Sequence, residues 1–176
     1  MKKIKVATLC LDGCFGCHVS FLDMDERILE IVDSIELNRS RLTDIKEFSP
    51  VDVGIVEGAV GNKEGEEFLK ELRRNCKILV TFGDCACFGG TPSMRNSFNV
   101  KDVLSRCFIE AESVKEGKLP SFDIVPPLLE QSKPVNQLVK VDCYLPGCPP
   151  SADVIYFALT ELLEGRIPTL PSEFLD

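Results

Sequence analysis

The feature that most constrains this chain is a set of apolar, β-branched runs, each delivering into a turn rich in glycine and cysteine. Lys3–Leu11 (KIKVATLCL), Val51–Glu57 (VDVGIVE) and Lys77–Gly83 (KILVTFG) read as near-continuous apolar stretches. Strands of that kind are covered on both faces, as in a parallel sheet. Leu138–Leu145 (LVKVDCYL) predicts a further strand, and a short one is expected around Ile35–Asn38. Between them lie helical patterns at Ser20–Ser34, Lys63–Asn75, Val100–Glu110 and Ser151–Glu164. Ser151 is the expected N-cap of the last, with Gly165 beyond its end and Pro168 as a stop. Pro120, Pro126, Pro127 and Pro134 predict an irregular excursion over about 111–137. Strands alternating with helices predict an α/β chain: a flavodoxin-like parallel sheet with helices on both faces, as one domain over 1–176.

Charge narrows the partners. With 20 Lys and Arg against 28 Asp and Glu, the formal net charge is −8. An acidic surface repels phosphate backbones and anionic lipid, so neither nucleic acid nor a membrane is expected as a partner. The apolar stretches Ile4–Leu11 and Ile78–Phe82 are too short to span a bilayer. The chain opens with neither a signal-peptide core nor a twin-arginine signal, so the expected location is cytoplasmic.

Nine cysteines are too many for ordinary core filling in a chain of 176 residues. A reducing compartment disfavours a disulfide framework, and nine is an odd number. A single histidine means that any metal shell must be built mainly from thiolates. Ligands in open α/β sheets gather beyond the carboxyl ends of the strands. Cys14 and Cys17 (GCFGC) follow the first strand, Cys85 (GDCAC) follows the Lys77–Gly83 strand, and Cys148 (PGCPP) follows the Leu138–Leu145 strand. A parallel sheet would bring all four to one rim. Paired knuckles of the structural-zinc type are absent, and a proline follows the last cysteine, as in many iron–sulfur sets. A zinc site and a thioredoxin-like dithiol at Cys14 and Cys17 remain open on the residues alone.

The remaining candidates are weaker. Cys76, Cys107 and Cys143 are expected to be buried and inert, while Cys10 and Cys87 lie near enough to the rim to surround a metal group without ligating it. His18 could cap such a group or carry protons, with a local hydrogen bond to backbone as the plainer expectation. Glu57 ends an apolar strand on the same rim, as a proton relay or as a solvated turn acid. Phe15, Phe88 and Met94 are candidates for an apolar protein interface there. No phosphate-binding loop or dinucleotide fingerprint is present, and the loop that cradles flavin phosphate in flavodoxins is taken by the C-x-x-C turn.

Taken together, Gly13-Cys14-Phe15-Gly16-Cys17 leading into Ser20-Phe21-Leu22-Asp23, Val56-Glu57-Gly58, Gly83-Asp84-Cys85-Ala86 with Gly89-Gly90, and Pro146-Gly147-Cys148-Pro149-Pro150 resemble the small subunit of nickel–iron hydrogenases. The resemblance runs from about Lys5 to Pro168. Ser20–Arg27 and Pro92-Ser93-Met94-Arg95-Asn96 are most similar to the soluble NAD(P)-linked bidirectional branch. It implies that Cys14, Cys17, Cys85 and Cys148 hold one 4Fe–4S cluster. It also implies a catalytic nickel–iron site in a separate large subunit, and electrons passed to flavin- and iron–sulfur-bearing diaphorase-type subunits. The adjacent cysteine pair of the homologous respiratory subunit is absent, since Asp12-Gly13 precedes Cys14. That speaks against quinone reduction.

Overall fold

A computed structural model describes residues 3–174; Met1, Lys2, Leu175 and Asp176, the ends of the expected domain, lie outside the described residues. The strands β1 (Ile4–Cys10), β2 (Ile35–Leu37), β3 (Val51–Glu57), β4 (Val60–Asn62), β5 (Cys76–Phe82), β6 (Leu128–Lys133) and β7 (Cys143–Leu145) form two sheets. The main sheet has the order β2-β1-β3-β5-β7, and every pairing in it is parallel. The helices are α1 (Gly16–Val19), α2 (Ile28–Ile31), α3 (Lys63–Asn75), α4 (Asp84–Phe88), α5 (Val100–Phe108) and α6 (Ala152–Leu163). This is the expected flavodoxin-like α/β architecture.

Both faces of the sheet are covered. Val6, Val53, Ile55, Val80 and Phe82 pack on one side against Ile155, Ala158 and Leu162 of α6 and against Met24 and Ile31. On the other side Ala7, Leu9, Val56 and Leu79 meet Leu69 and Leu72 of α3. That two-sided burial explains why the strands carry no polar alternation. Asn62 caps α3 by accepting the Gly65 N–H at 2.8 Å, and Ser151 caps α6 by accepting that of Val154 at 3.4 Å, the second as expected.

Three expectations are corrected. The helix expected over Ser20–Ser34 is instead a 3-10 segment over Ser20–Arg27, broken at Asp25 (φ 50°, ψ −130°), followed by the short α2. Beside the break Arg27 Nε donates to the Met24 carbonyl at 3.3 Å, and its Nη1 reaches Asp153 of α6 at 2.8 Å. The strand expected over Leu138–Leu145 pairs only at Cys143–Leu145. The Asp142 carboxylate takes the Leu79 N–H at 2.9 Å in place of backbone and holds Arg73 at 2.5 Å, which ends the ladder there. Inside the expected excursion, Leu128–Lys133 forms β6, antiparallel to β4. The prolines bracket this strand rather than break it. The Asn96 side chain acts as its other neighbour, bonding both the N–H and the carbonyl of Ser132 at 2.8 Å, while Arg95 takes the Leu129 carbonyl at 2.9 Å. The stretch before β6 is irregular, as expected.

Leu72 is fully buried whereas Leu29 is 71% exposed. Leu72→Ala is expected to lower unfolding stability by about 2–5 kcal/mol in denaturant titration, and Leu29→Ala by no more than about 0.5 kcal/mol.

Candidate functional site

The carboxyl ends of β1, β3, β5 and β7 form one rim, and four of the cysteine-bearing turn positions stand on it. After β1 the chain is pinned to β3: Leu11 N–H donates to the Glu57 carbonyl at 2.8 Å, and Asp12 and Ala59 exchange backbone bonds at 3.0 and 2.8 Å. Phe15 then adopts φ 66°, which turns the chain so that Cys17 falls on α1, half-buried, while Cys14 stays exposed. The Gly16 N–H points at Cys14 Sγ, 3.4 Å away.

The turns after β5 and β7 are tied to each other. Gly83 N–H donates to the Leu145 carbonyl at 2.8 Å, Asp84 N–H to the Gly147 carbonyl at 2.9 Å, and Gly147 N–H to Asp84 Oδ1 at 2.8 Å. Asp84 therefore fixes Cys85 against Cys148, a role no motif in the sequence announces. Glycine is required where the backbone meets two of the thiols. Gly83 has φ 85°, and a Cβ there would lie 2.2 Å from Cys17 Sγ; Gly90 has φ 47°, and a Cβ there would lie 2.8 Å from Cys85 Sγ. Bare backbone thus cradles two of the thiols.

The thiols form one electrostatic neighbourhood. Burial first, then the Glu57 carboxylate and Cys14, Cys85 and Cys148 together, push Cys17 up to about 12. Burial chiefly raises Cys85 as well, with Cys148 and Cys14 adding to it. Such a group keeps its protons until a cationic centre displaces them. Among the described residues no three Cys, His, Asp or Glu side chains close on one point as the shell of a single ion would. A cuboid cluster instead takes one thiolate per iron. The donor set, four thiols with glycine backbone against them, fits such a group.

Glu57 is not a solvated turn acid: it is 2% exposed. Its Oε2 accepts the His18 backbone N–H at 2.8 Å and also contacts His18 Nδ1. The His18 ring stacks on Phe15, with 5.0 Å between centroids, and its Nε2 is buried with no hydrogen-bond partner among the described residues. Next to it opens an apolar cavity of about 370 Å³ lined by Phe15, Phe21, Leu22 and Met24, among others.

The other cysteines divide unevenly. Cys76 and Cys143 are buried in the core, as expected, and Cys87 is buried with its thiol 3.3 Å from Thr81 Oγ1. Cys10 is half-buried; burial and then Glu57 raise it to about 11. Cys107, expected to be buried, is exposed, because α5 buries no residue of its own. Among the rim hydrophobics Phe88 is 66% and Met94 72% exposed, while Phe15 is partly covered. No described helix is long and apolar enough to cross a membrane.

Residues 14–162 match the family model of the NADH ubiquinone oxidoreductase 20 kDa subunit. The chain is 43% identical over 174 residues to the delta subunit of the NAD-reducing hydrogenase HoxS of Cupriavidus necator, covering 97% of this chain and 83% of that one. It is 30% identical over 187 residues to the iron–sulfur subunit of the F420-non-reducing hydrogenase of Archaeoglobus profundus, covering 94% of this chain and 57% of that one. A crystal structure of an NAD+-reducing NiFe hydrogenase in the hydrogen-reduced state superposes with a TM-score of 0.95 at 43% identity, over 99% of both chains. With the family model spanning most of the sequence and these relatives aligned over nearly all of this chain, the chain belongs to the NADH ubiquinone oxidoreductase 20 kDa subunit family, on its nickel–iron hydrogenase small-subunit branch.

Proposed function

We propose that this chain is the electron-transfer small subunit of a cytoplasmic nickel–iron hydrogenase. Cys14, Cys17, Cys85 and Cys148 would hold one 4Fe–4S cluster, which supplies one-electron transfer between a nickel–iron large subunit and an NAD(P)-linked flavin and iron–sulfur module. The observation that carries the reading is the meeting of three separate cysteine turns on one rim, with Gly83 and Gly90 backbone against two of the sulfurs. Its 43% identity to a hydrogenase delta subunit and the iron–sulfur name of the archaeal relative support it.

The chain's own residues position and insulate. Asp84 locks two of the cysteine turns together, and the Asp12–Ala59 bridge anchors the third. Phe88 and Met94, on the turns that follow Cys85, are exposed apolar side chains that a permanent partner would cover. The 3-10 segment Thr91–Ser97, which carries Met94, is held to β6 by Arg95 and Asn96, so this surface is preformed. Glu57 and His18 form a buried carboxylate–imidazole pair beside the cysteines, able to hold and pass a proton within a dry site.

Iron and acid-labile sulfide analysis tests the ligand set. Chain purified anaerobically in its complex is expected to carry about four of each at this site. Cys14→Ala, Cys17→Ala, Cys85→Ala or Cys148→Ala should remove or convert that cluster, and Cys76→Ala or Cys107→Ala should leave it intact. Gly83→Ala should also lose it, since the new Cβ would occupy the Cys17 sulfur. Gly165→Ala, at a similar φ of 78° but with nothing within 4 Å, should keep it. Full iron content in Cys85→Ala, or a zinc-only chain, would contradict the assignment.

Glu57→Gln keeps an acceptor for the His18 N–H but removes the exchangeable carboxylate. It is expected to slow hydrogen turnover of the assembled enzyme by about 10²-fold or more at unchanged iron content. Unchanged turnover would limit Glu57 to holding His18 in place.

A further inference from the structure

Beside the rim, a second cavity opens at the carboxyl end of β1 and β2, with Thr8, Leu9 and Cys10 along one wall. It measures about 370 Å³ and is lined by Arg39, Arg41 and Lys46 together with Ser40, Ile45 and Phe68. None of the three cations makes an ion pair among the described residues, although carboxylates outnumber cations in this chain by 28 to 20. One carboxylate, Glu64, also lines the cavity, which leaves the site with two positive charges in excess.

The turn bearing these residues is rigid. Asn38 N–H donates to the Val6 carbonyl and Thr8 N–H to the Arg39 carbonyl, both at 2.8 Å, so β2 remains joined to β1 beyond Leu37. Arg39 N–H donates to Asn38 Oδ1 at 2.8 Å, and Ser40 N–H to Thr43 Oγ1 at 3.0 Å. The Arg39 guanidinium lies 4.1 Å from the Phe48 ring centroid and 5.0 Å from that of Phe68, and its Nε donates to the Lys46 carbonyl at 2.9 Å. Those contacts fix its plane while both Nη groups keep their protons free of partners among the described residues. Burial, opposed by Glu71 and reinforced by Arg41, lowers Arg39 from the ordinary guanidinium value, a penalty that a bound anion would offset.

Fixed guanidinium forks recognise tetrahedral oxyanions through paired, charge-assisted hydrogen bonds. The cavity is too large for a bare ion and lies within the size range of small organic ligands. Two excess positive charges match a dianion better than a single carboxylate. We propose that this cavity binds a dianionic phosphate monoester, with Arg39 and Arg41 gripping the phosphate and the organic part lying against Ile45 and Phe68. The cavity borders the rim at Leu9 and Cys10 of β1, but none of Cys14, Cys17, Cys85 and Cys148 lines it.

Isothermal titration of the full chain in its purified complex, at fixed ionic strength in chloride, tests it with ribose 5-phosphate, adenosine 5′-monophosphate and inorganic phosphate as probes. A saturable one-site isotherm is expected for an ester, tighter than for inorganic phosphate. Arg41→Gln should weaken it at least about tenfold, as loss of a charged hydrogen-bond partner does. Lys46→Gln should weaken it too; both residues are on the surface turn, and an unchanged thermal transition would show that the variants fold. Inorganic phosphate binding as tightly as the esters would overturn the ester assignment. No saturable binding of any probe, or binding that both variants leave unchanged, would overturn the site itself.

Discussion

Parallel pairing of β1, β3, β5 and β7 is what makes residues 14, 85 and 148 neighbours. In an antiparallel sheet successive turns would alternate between opposite edges, and the cysteines would be split between them. Here every strand of the main sheet runs the same way, so each turn that follows one of them emerges on one rim. The covering of both sheet faces by α3 and α6 follows from the same constraint, because parallel strands need crossovers that lie on the sheet. The cysteine site is therefore a consequence of topology, and the short bonds from Asp84, Asp12 and Ala59 only set its final register.

Within that rim the electrostatics are unfavourable until something cationic enters. Cys17 is half-buried, and Glu57 together with three other cysteines drives its proton affinity up. Placing anionic groups together without a counter-charge is unfavourable, and burial with these neighbours raises Cys17 and Cys85 so that both hold their protons in the bare chain. A metal centre would reverse the balance, since thiolate ligands and backbone N–H groups would then stabilise it together. Glu57 is shielded in a different way: it accepts from His18 at two atoms, and Phe15 closes over the imidazole.

Much of this was legible in the residues. The runs VATLCL, VDVGIVE and KILVTF carry no polar alternation, and two-sided burial is the physical reason. The cysteine turns could be placed on one rim because strand ends and Gly-Cys pairs coincide. What escaped depended on side chains replacing backbone. Asn96 serves as the missing neighbour of β6, and the Asp142 carboxylate keeps β7 from starting before Cys143 by taking the Leu79 N–H. Neither substitution leaves a periodic trace. The break at Asp25 is equally silent, since the apolar spacing of Ser20–Ser34 is that of a helix although the backbone turns away at one residue. Cys107 was misjudged for a related reason: a half-apolar helix pattern does not say that a partner exists to bury it. Arg39, Arg41 and Lys46 look like ordinary surface cations in the string RSRLTDIK, and only the folded turn shows them round one cavity.

A division of labour follows from the proposed role: this chain conducts electrons and another chain handles hydrogen. Hydrogen-dependent dye reduction tests it most directly, comparing the chain alone, loaded with iron and sulfide, with a tagged chain isolated together with whatever remains bound to it. No activity is expected from the chain alone, and activity is expected only where a nickel-containing partner co-purifies. Robust hydrogen oxidation by the isolated chain would contradict that division.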